Sequence, residues 1–484
     1  MKLNATGLAG ILVVGGLTAG AFAAGINLGP AKPLGHNLYR PHTVSSAASP
    51  LTLASSSHPG AVAQTGKPTE TGAEGDGADD IAADGPGATF QQVYLLIKRH
   101  YVDAVPNDSK LGHGAASAML TSLQDPDSRF LEAPELAEVN SQGKGLYRGI
   151  GAVLAVRRVA HAKEGDIPAY TDFQLTVVTP VPGGPADKAG LLSGDVISTI
   201  NGQWVYNDQY IYSQTKELKA AQDDPVTFNK MVAVLQKKIE GAINLSDAQT
   251  KLDDPAAKTI SLTMTRAGAL RPITLTLDTS GVTSVAPVLA RSLPSGIGYI
   301  KIRQFTPDAD KAFADALAGF GTDPKGLIID LRGSPGGLLE VGTAIAARLP
   351  SGMNLGYVET KGKKISPIAV TPSAVLSCPI AVLVNRGTAN TAELLASALQ
   401  THGARLVGSA TFGDASDVKL IQLRDGSGFT MTVGKLMTAS KAEFGGTGVK
   451  PDLSVPEIAG SDEPLSRAVG VLSGRVAHLP GTRG

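Results

Sequence analysis

An α/β core with a mixed sheet and crossover helices, preceded by a strand-rich module and a short helical segment, is the architecture this sequence predicts. Three observations carry it. After Gly298, apolar strand-like runs alternate with stretches of helical period, an order that needs crossover connections. Between Tyr147 and Gly202, short β-type runs are punctuated by Gly and Pro. From Phe90 to Leu123, apolar residues recur at helical spacing.

The chain has 484 residues, enough for two or three domains with a sizeable core. Its 43 basic and 43 acidic residues balance to a net charge of 0, which gives no electrostatic case for nucleic acid. The single cysteine, Cys378, excludes an intrachain disulfide and lies in the apolar run Cys378–Val384, where a buried, inert thiol is expected. No His/Cys/Asp cluster has metal-ligand spacing and no phosphate loop occurs, so neither metal nor cofactor is implied.

At the start, Lys2 precedes an apolar stretch from Leu8 to Ala24, and Ala21-Phe-Ala23 fits a small-x-small cleavage site. Residues 1–24 are expected to be a signal peptide or an N-terminal anchor, since the stretch approaches the roughly 20 residues that span a bilayer. Either reading exports the rest, to the periplasm or cell envelope, with a possible membrane tether. Residues 25–88 are rich in Ala, Gly, Ser and Pro without apolar periodicity, and read as a linker that buries too little surface to offset its chain entropy.

The folded part is expected to begin near Phe90 with a helical segment over 89–146. Val93, Leu96, Ile97 and Tyr101 fall on one helical face, Gly114–Leu123 is a second helical run, Asp125-Pro-Asp-Ser128 stops it, and Pro134–Val139 starts a short third helix. A strand-rich module follows over 147–279. It opens with Tyr147-Arg-Gly149-Ile150-Gly151-Ala152, continues through Pro185-Ala-Asp-Lys-Ala-Gly190 and Gly194-Asp195-Val-Ile-Ser-Thr-Ile-Asn201-Gly202, and closes with Ile260–Thr265 and Ile273–Leu277. A helical, polar insertion interrupts it over about 206–258, with Phe228, Met231, Val232, Leu235 and Ile239 on one face. The α/β core spans 280–458: strands at Gly298–Phe305, Leu327–Asp330, Ile380–Val384 and Arg405–Val407, and helices at Asp308–Phe320, Leu339–Leu349 and Thr391–His402. A C-terminal segment, 459–484, completes the chain.

Those strings resemble known proteins. The module over 147–279 is similar to a PDZ domain of the bacterial protease type. That resemblance implies a loop at Gly149, Ile150, Gly151 and Ala152 whose backbone N–H groups receive a peptide's terminal carboxylate, the peptide adding as a strand to a sheet edge. Further on, the sequence reads Asn385-Arg-Gly-Thr-Ala-Asn390-Thr-Ala-Glu393, then Gly408-Ser-Ala-Thr-Phe-Gly-Asp414. With Gly298–Phe305, Gly326–Gly337 and Gly446–Asp452, these resemble the catalytic core of the carboxyl-terminal processing (tail-specific) serine proteases, over about Phe90 to Val455. In that family the first stretch reads approximately Gly-Ser-Ala-Ser-Ala-Ser-Glu, and its middle serine is the nucleophile. A Thr-Phe-Gly-Lys stretch supplies the lysine base.

Here the nucleophile position carries Asn390 and the base position Asp414, or Ala415 if the register slips by one. An amide nitrogen delocalised into its carbonyl cannot replace a hydroxyl, and a carboxylate reverses the charge logic of a lysine made neutral by burial. An Asn–Asp pair can instead hydrogen-bond to itself. Lys419 stands where the family has a supporting glutamine. Together with Thr388 or Thr391 it is the material for a relocated dyad, although a shift of one or two residues on a helix turn rotates the group by about 100–200°. The resemblance further implies an oxyanion hole from Gly336, Gly337 and the N–H of Thr391. His402 reads as a solvated or capping residue.

The expectation is an exported, PDZ-containing protease homologue with impaired catalysis that binds unstructured protein C-termini or envelope proteins. The alternatives are an active endopeptidase with a relocated nucleophile and base, and a purely architectural envelope protein.

Overall fold

The computed structural model describes residues 85–474, apart from 104, 106–107, 166, 255–256, 280, 322–323, 350–352, 373–375, 377 and 459. The expected leader (1–24), nearly all of the 25–88 linker and the end of the 459–484 segment lie outside the described residues. Described residues up to 112 fall in one compact unit and those from 113 to 474 in another.

The first unit holds helix α1 (Pro86–His100) and the start of α2 (Asp108–Thr121). Order starts four residues before Phe90 because Pro86 occupies the first helical turn, where its missing N–H and fixed φ suit a helix start. In the second unit come β1 (Phe130–Leu131) and α3 (Ala133–Gln142), the latter opened by Glu132, whose backbone N–H donates to Glu135.

The strand-rich module contains β2 (Leu146–Tyr147), β3 (Ala152–His161), β4 (Tyr170–Pro180), α4 (Pro185–Ala189), β5 (Val196–Ile200) and β6 (Gln203–Trp204). It continues with α5 (Asp208–Ala220), α6 (Pro225–Glu240), α7 (Leu245–Asp253), β7 (Thr259–Thr265), β8 (Ile273–Asp278) and β9 (Thr283–Ser284). Its main sheet runs β3-β4-β5-β7-β8, so among the described residues β3 is an edge strand with a strand partner on one side only. The three helices of the expected insertion are not equivalent. Helices α5 and α6 build a satellite cluster of Trp204, Ile211, Leu218 and Leu235. In contrast, α7 places Ala248 and Leu252, both fully buried, in the module's own core beside Ile150 and Leu262. Residues up to 258 were expected to be inserted; α7 instead is a structural part of the module.

The remaining elements are β10 (Val288–Leu293), β11 (Ile297–Ile302), α8 (Ala309–Ala318), β12 (Gly326–Asp330), α9 (Leu339–Ala346), β13 (Asn354–Thr360), β14 (Lys364–Ala369), β15 (Ile380–Val384), α10 (Thr391–Thr401), β16 (Arg405–Gly408), β17 (Ser416–Gln422), β18 (Gly428–Met437), β19 (Leu453–Ser454) and α11 (Glu463–Leu472). One sheet has the order β10-β11-β12-β15-β16-β19 and is mixed: β10 is antiparallel to β11 and the other pairs are parallel. Its central strands are apolar on both faces, as a covered parallel sheet requires. Leu327, Ile329, Val382 and Val384 pack toward α8, α9 and α10, while Ile328, Ala381 and Leu383 pack toward α11. A second, antiparallel sheet (β1-β18-β13-β14, with β17 on β18) closes over the first face through Leu355, Ile368 and Leu436.

Two expectations need correction here. The strand expected over Gly298–Phe305 ends at Ile302, and Phe305 instead bridges to Gly337. Cys378 is half-buried at the approach to β15 rather than buried, because the run enters the sheet only at Ile380.

Candidate active site

The site forms where two parallel strands end. After β15, the turn Asn385–Ala389 is tied to the turn after β12: the Asn385 side-chain oxygen accepts from Gly387 N (2.9 Å) and Gly333 N (3.0 Å). Asn390 then caps α10 with φ +50° and ψ −119°, a conformation that side chains other than Gly rarely adopt. Gly337, at φ +137°, lies against it from the other turn; a Cβ there would stand 2.5 Å from the Phe305 carbonyl, so only glycine fits.

What occupies this turn is an amide with both N–H donors and its oxygen hydrogen-bonded. Asn390 Nδ2 donates to the Ser416 carbonyl (2.8 Å) and to Asp414 Oδ2 (3.3 Å), while its Oδ1 accepts from Thr391 N (3.0 Å). The structure thus brings Asn390 and Asp414 into contact. The Thr391 N–H, an implied oxyanion donor, is occupied by the Asn390 side chain itself. Gly336 packs close beside this turn, where an added Cβ would lie 3.0 Å from Thr391 N. The other two threonine-based options are also engaged. Thr388 Oγ1 donates to the Leu331 carbonyl (2.8 Å) and Thr391 Oγ1 to the Gly337 carbonyl (2.8 Å), both side chains being fully buried. Lys419 is exposed on β17, in register with Met431, and makes no hydrogen bond to Thr388, Asn390 or Thr391 among the described residues. Ala415 is a partly buried packing residue. His402 caps the C-terminus of α10, as expected.

Three acidic groups organise the pocket, and sequence reasoning had assigned a site role only to Asp414. Glu393, fully buried on the first turn of α10, accepts from Asn390 N (2.9 Å), Gly413 N (2.7 Å), Asp414 N (2.8 Å) and the Thr411 hydroxyl. Burial pushes its carboxyl up to about 8, against the opposing pull of the Thr411 hydroxyl and the Gly413 amide. Asp414 is likewise pushed up by burial, although the Ser416 amide and the Asn390 side chain favour its anion. Asp127 receives the Ser416 hydroxyl (2.9 Å), and burial, then the Asp414 charge, raises it to about 6. Arg158, reaching down from edge strand β3, contacts Asp125 (2.5 Å) and Asp127 (3.7 Å). A cavity of about 250 Å3 remains between these groups, lined also by Phe412, Lys435 and Gly446. The signal for Asp127 was the string Asp125-Pro-Asp-Ser128, read from sequence as a helix stop and a family string and not as part of the site.

In the peptide-loop region, Gly149 and Gly151 both take positive φ (+62° and +64°) and Ile150 is buried. The Ile150 N–H, implied as a carboxylate donor, bonds to the Leu252 carbonyl at the end of α7 (3.1 Å), and the Gly151 N–H to the Arg148 carbonyl (3.3 Å). Ala152 starts β3 opposite Pro180.

With this geometry, comparisons with known proteins agree. The model of Peptidase family S41 matches residues 296–455, and a PDZ domain model matches residues 176–217. A carboxyl-terminal-processing protease of Synechocystis sp. is 30% identical over 402 residues, covering 80% of this chain and 82% of the relative. A carboxy-terminal-processing protease of Bartonella bacilliformis is 29% identical over 381 residues, covering 76% and 75%. The solved structure of a photosystem II D1 C-terminal processing protease superposes with a TM-score of 0.53 at 25% identity, covering 79% of this chain and 97% of that one. The chain therefore belongs to the carboxyl-terminal-processing protease family, peptidase family S41, and carries a PDZ domain on an α/β protease core.

Proposed function

We propose that this protein is an exported member of its family that has lost peptide-bond hydrolysis and acts by binding protein C-termini or envelope partners. The observation that carries the reading is the Asn390 side chain. It occupies the nucleophile position, hydrogen-bonds to Asp414 at the base position, and covers the Thr391 N–H that would stabilise an oxyanion. Nothing in this arrangement can form an acyl-enzyme: the amide is not a nucleophile, and the flanking threonine hydroxyls point their protons at backbone carbonyls. Support for binding comes from the PDZ domain and the open edge of β3, the kind of edge to which an extended peptide adds.

A purely architectural role is the second reading, favoured by the bond from Ile150 N–H to Leu252, which already satisfies one loop donor. Fluorescence anisotropy with peptides of apolar C-terminus separates the two. Binding that weakens by roughly 5- to 150-fold on C-terminal amidation, the equivalent of about 1–3 kcal/mol for unpaired donors, is expected for a C-terminus receptor. Equal affinity for both peptides, or no binding, favours the architectural role.

A further inference from the structure

A second feature of the PDZ–core seam lies outside the old catalytic centre. Side chains alternate along β11, so Ile300 and Ile302 enter the main core while Tyr299 and Lys301 face the other way. Arg303 follows one residue beyond the strand, its backbone N–H held by the Pro287 carbonyl (2.7 Å). On the neighbouring strand, in register with Lys301, stands the fully buried Asp330. That carboxylate is already committed: it accepts from Tyr299 Oη (2.6 Å) and from Arg332 Nε (3.0 Å) and Nη2 (2.7 Å). Arg332 is completed by Asp462 (2.8 Å). Lys301 keeps only a distant share of Asp330 (3.9 Å). Arg303 has no ion pair or side-chain hydrogen bond among the described residues, and its Nε is buried without a partner.

These cations converge on a cavity of about 80 Å3 between the core and the PDZ sheet. Lys301, Arg303 and Arg332 line it with Tyr147, Thr179 and Gly333, and no carboxylate lines it among the described residues. A water needs on the order of 10–15 Å3 of such space, so there is room for a group of a few heavy atoms and not for a nucleotide. A guanidinium presents a planar fork of donors that matches a carboxylate, and a buried donor without a partner is costly.

We infer that the Arg303 cavity is an oxyanion seat that takes a carboxylate, and specifically the terminal carboxylate of a bound peptide. Its wall continues into the loop implied as the carboxylate receptor, since Val181, which lines the cavity, donates its N–H to the Gly151 carbonyl (2.9 Å). That loop's Ile150 donor is taken by Leu252, whereas the Arg303 Nε–H has no hydrogen-bond partner among the described residues. The seat stands apart from the loss of hydrolysis and adds a recognition group to the proposed binding of C-termini.

The test is a titration of sodium acetate into the isotopically labelled protein at fixed ionic strength, following the Arg303 Nε–H resonance, identified by its loss in Arg303→Lys. The expected result is a saturable shift with acetate that chloride does not produce, and acetate affinity at least tenfold weaker in Arg303→Gln, read at the Thr179 and Gly333 amides. No saturable shift, or the same shift with chloride, overturns the site in the native protein without reliance on any variant. Two peptides then separate the sources of the carboxylate. One has a free C-terminus and no acidic side chain; the other is amidated and carries one internal glutamate. Displacement of acetate by the first is expected, and displacement by the second alone or by neither overturns the assignment to a C-terminus. Acetate binding is read without peptide, so failure of C-terminus binding at the loop and failure of the seat are distinguishable.

Discussion

Asn390→Ala removes the side chain that joins the segments at the family's nucleophile and base positions, and its cost can be worked from the contacts. Loss of an Asn cap, here the bond to Thr391 N, costs about 1 kcal/mol. Removing the amide also leaves the Ser416 carbonyl and one Asp414 oxygen short of a donor, at about 1–3 kcal/mol together. The expected total is about 2–4 kcal/mol. Backbone conformation supplies an internal control. At φ +50° and ψ −119° any side chain is strained, by on the order of 1–3 kcal/mol, and glycine is not. Asn390→Gly loses the same hydrogen bonds but relieves that strain, so the expected order of stability is native, then glycine, then alanine. Guanidinium denaturation with unchanged m-values reads the three midpoints. An alanine variant within about 0.5 kcal/mol of the native protein, or a glycine variant less stable than alanine, refutes the reasoning.

Two further predictions concern charge and the inserted helices. Glu393, raised from an ordinary value near 4.5 to about 8, keeps its proton in the folded state over a window in which the unfolded chain releases it. Its contribution is complete below about 4.5 and is lost as pH rises toward 8, with a slope of at most about 1.4 kcal/mol per pH unit. The stability advantage of the native protein over Glu393→Gln should therefore shrink from pH 5 to pH 8; an advantage that grows contradicts the assignment. Replacing residues 207–242 with a short Gly-Ser linker should leave a folded PDZ domain, because Tyr206 N bonds to the Ile243 carbonyl (2.9 Å) and the cut ends are adjacent. Peptide affinity should stay within about twofold, since α5 is anchored at Asp172 of β4 and not on the free edge of β3. Extending the deletion through α7 should unfold the domain by removing Ala248 and Leu252. A tenfold rise in affinity with the short deletion, or equal folding of both, contradicts this division.

Much of the core was legible because its strands are buried on both faces. Runs such as Leu327-Ile-Ile-Asp330 and Ile380–Val384 have no competing interpretation once helices flank them. The second sheet was not legible. Strand β17, Ser-Asp-Val-Lys-Leu-Ile-Gln, is an edge strand with mostly exposed side chains, so its pattern carries little burial signal. Helix α7 was assigned to the insertion because its mean polarity matches that of α5, and only the packing of Ala248 and Leu252 distinguishes it. At the site, the Asn390–Asp414 pairing was readable from two substituted motif positions. Asp127 was not, because its partner Ser416 lies 289 residues away and pairing at that distance leaves no local trace. Glu393 stood inside the quoted motif, but its role depends on the Gly413 and Asp414 amides, which folding alone brings to it.

The Asn390–Asp414 centre is proposed not to hydrolyse peptide bonds. The most direct measurement incubates the native 89–484 chain with an unfolded-tail protein substrate and, in parallel, with a serine-directed covalent probe, reading both by intact mass. The expected result is uncut substrate and unlabelled protein at every time point. Steady cleavage by the native chain, abolished by Thr388→Ala, Thr391→Ala or Lys419→Ala, would contradict the claim and put a relocated dyad in its place.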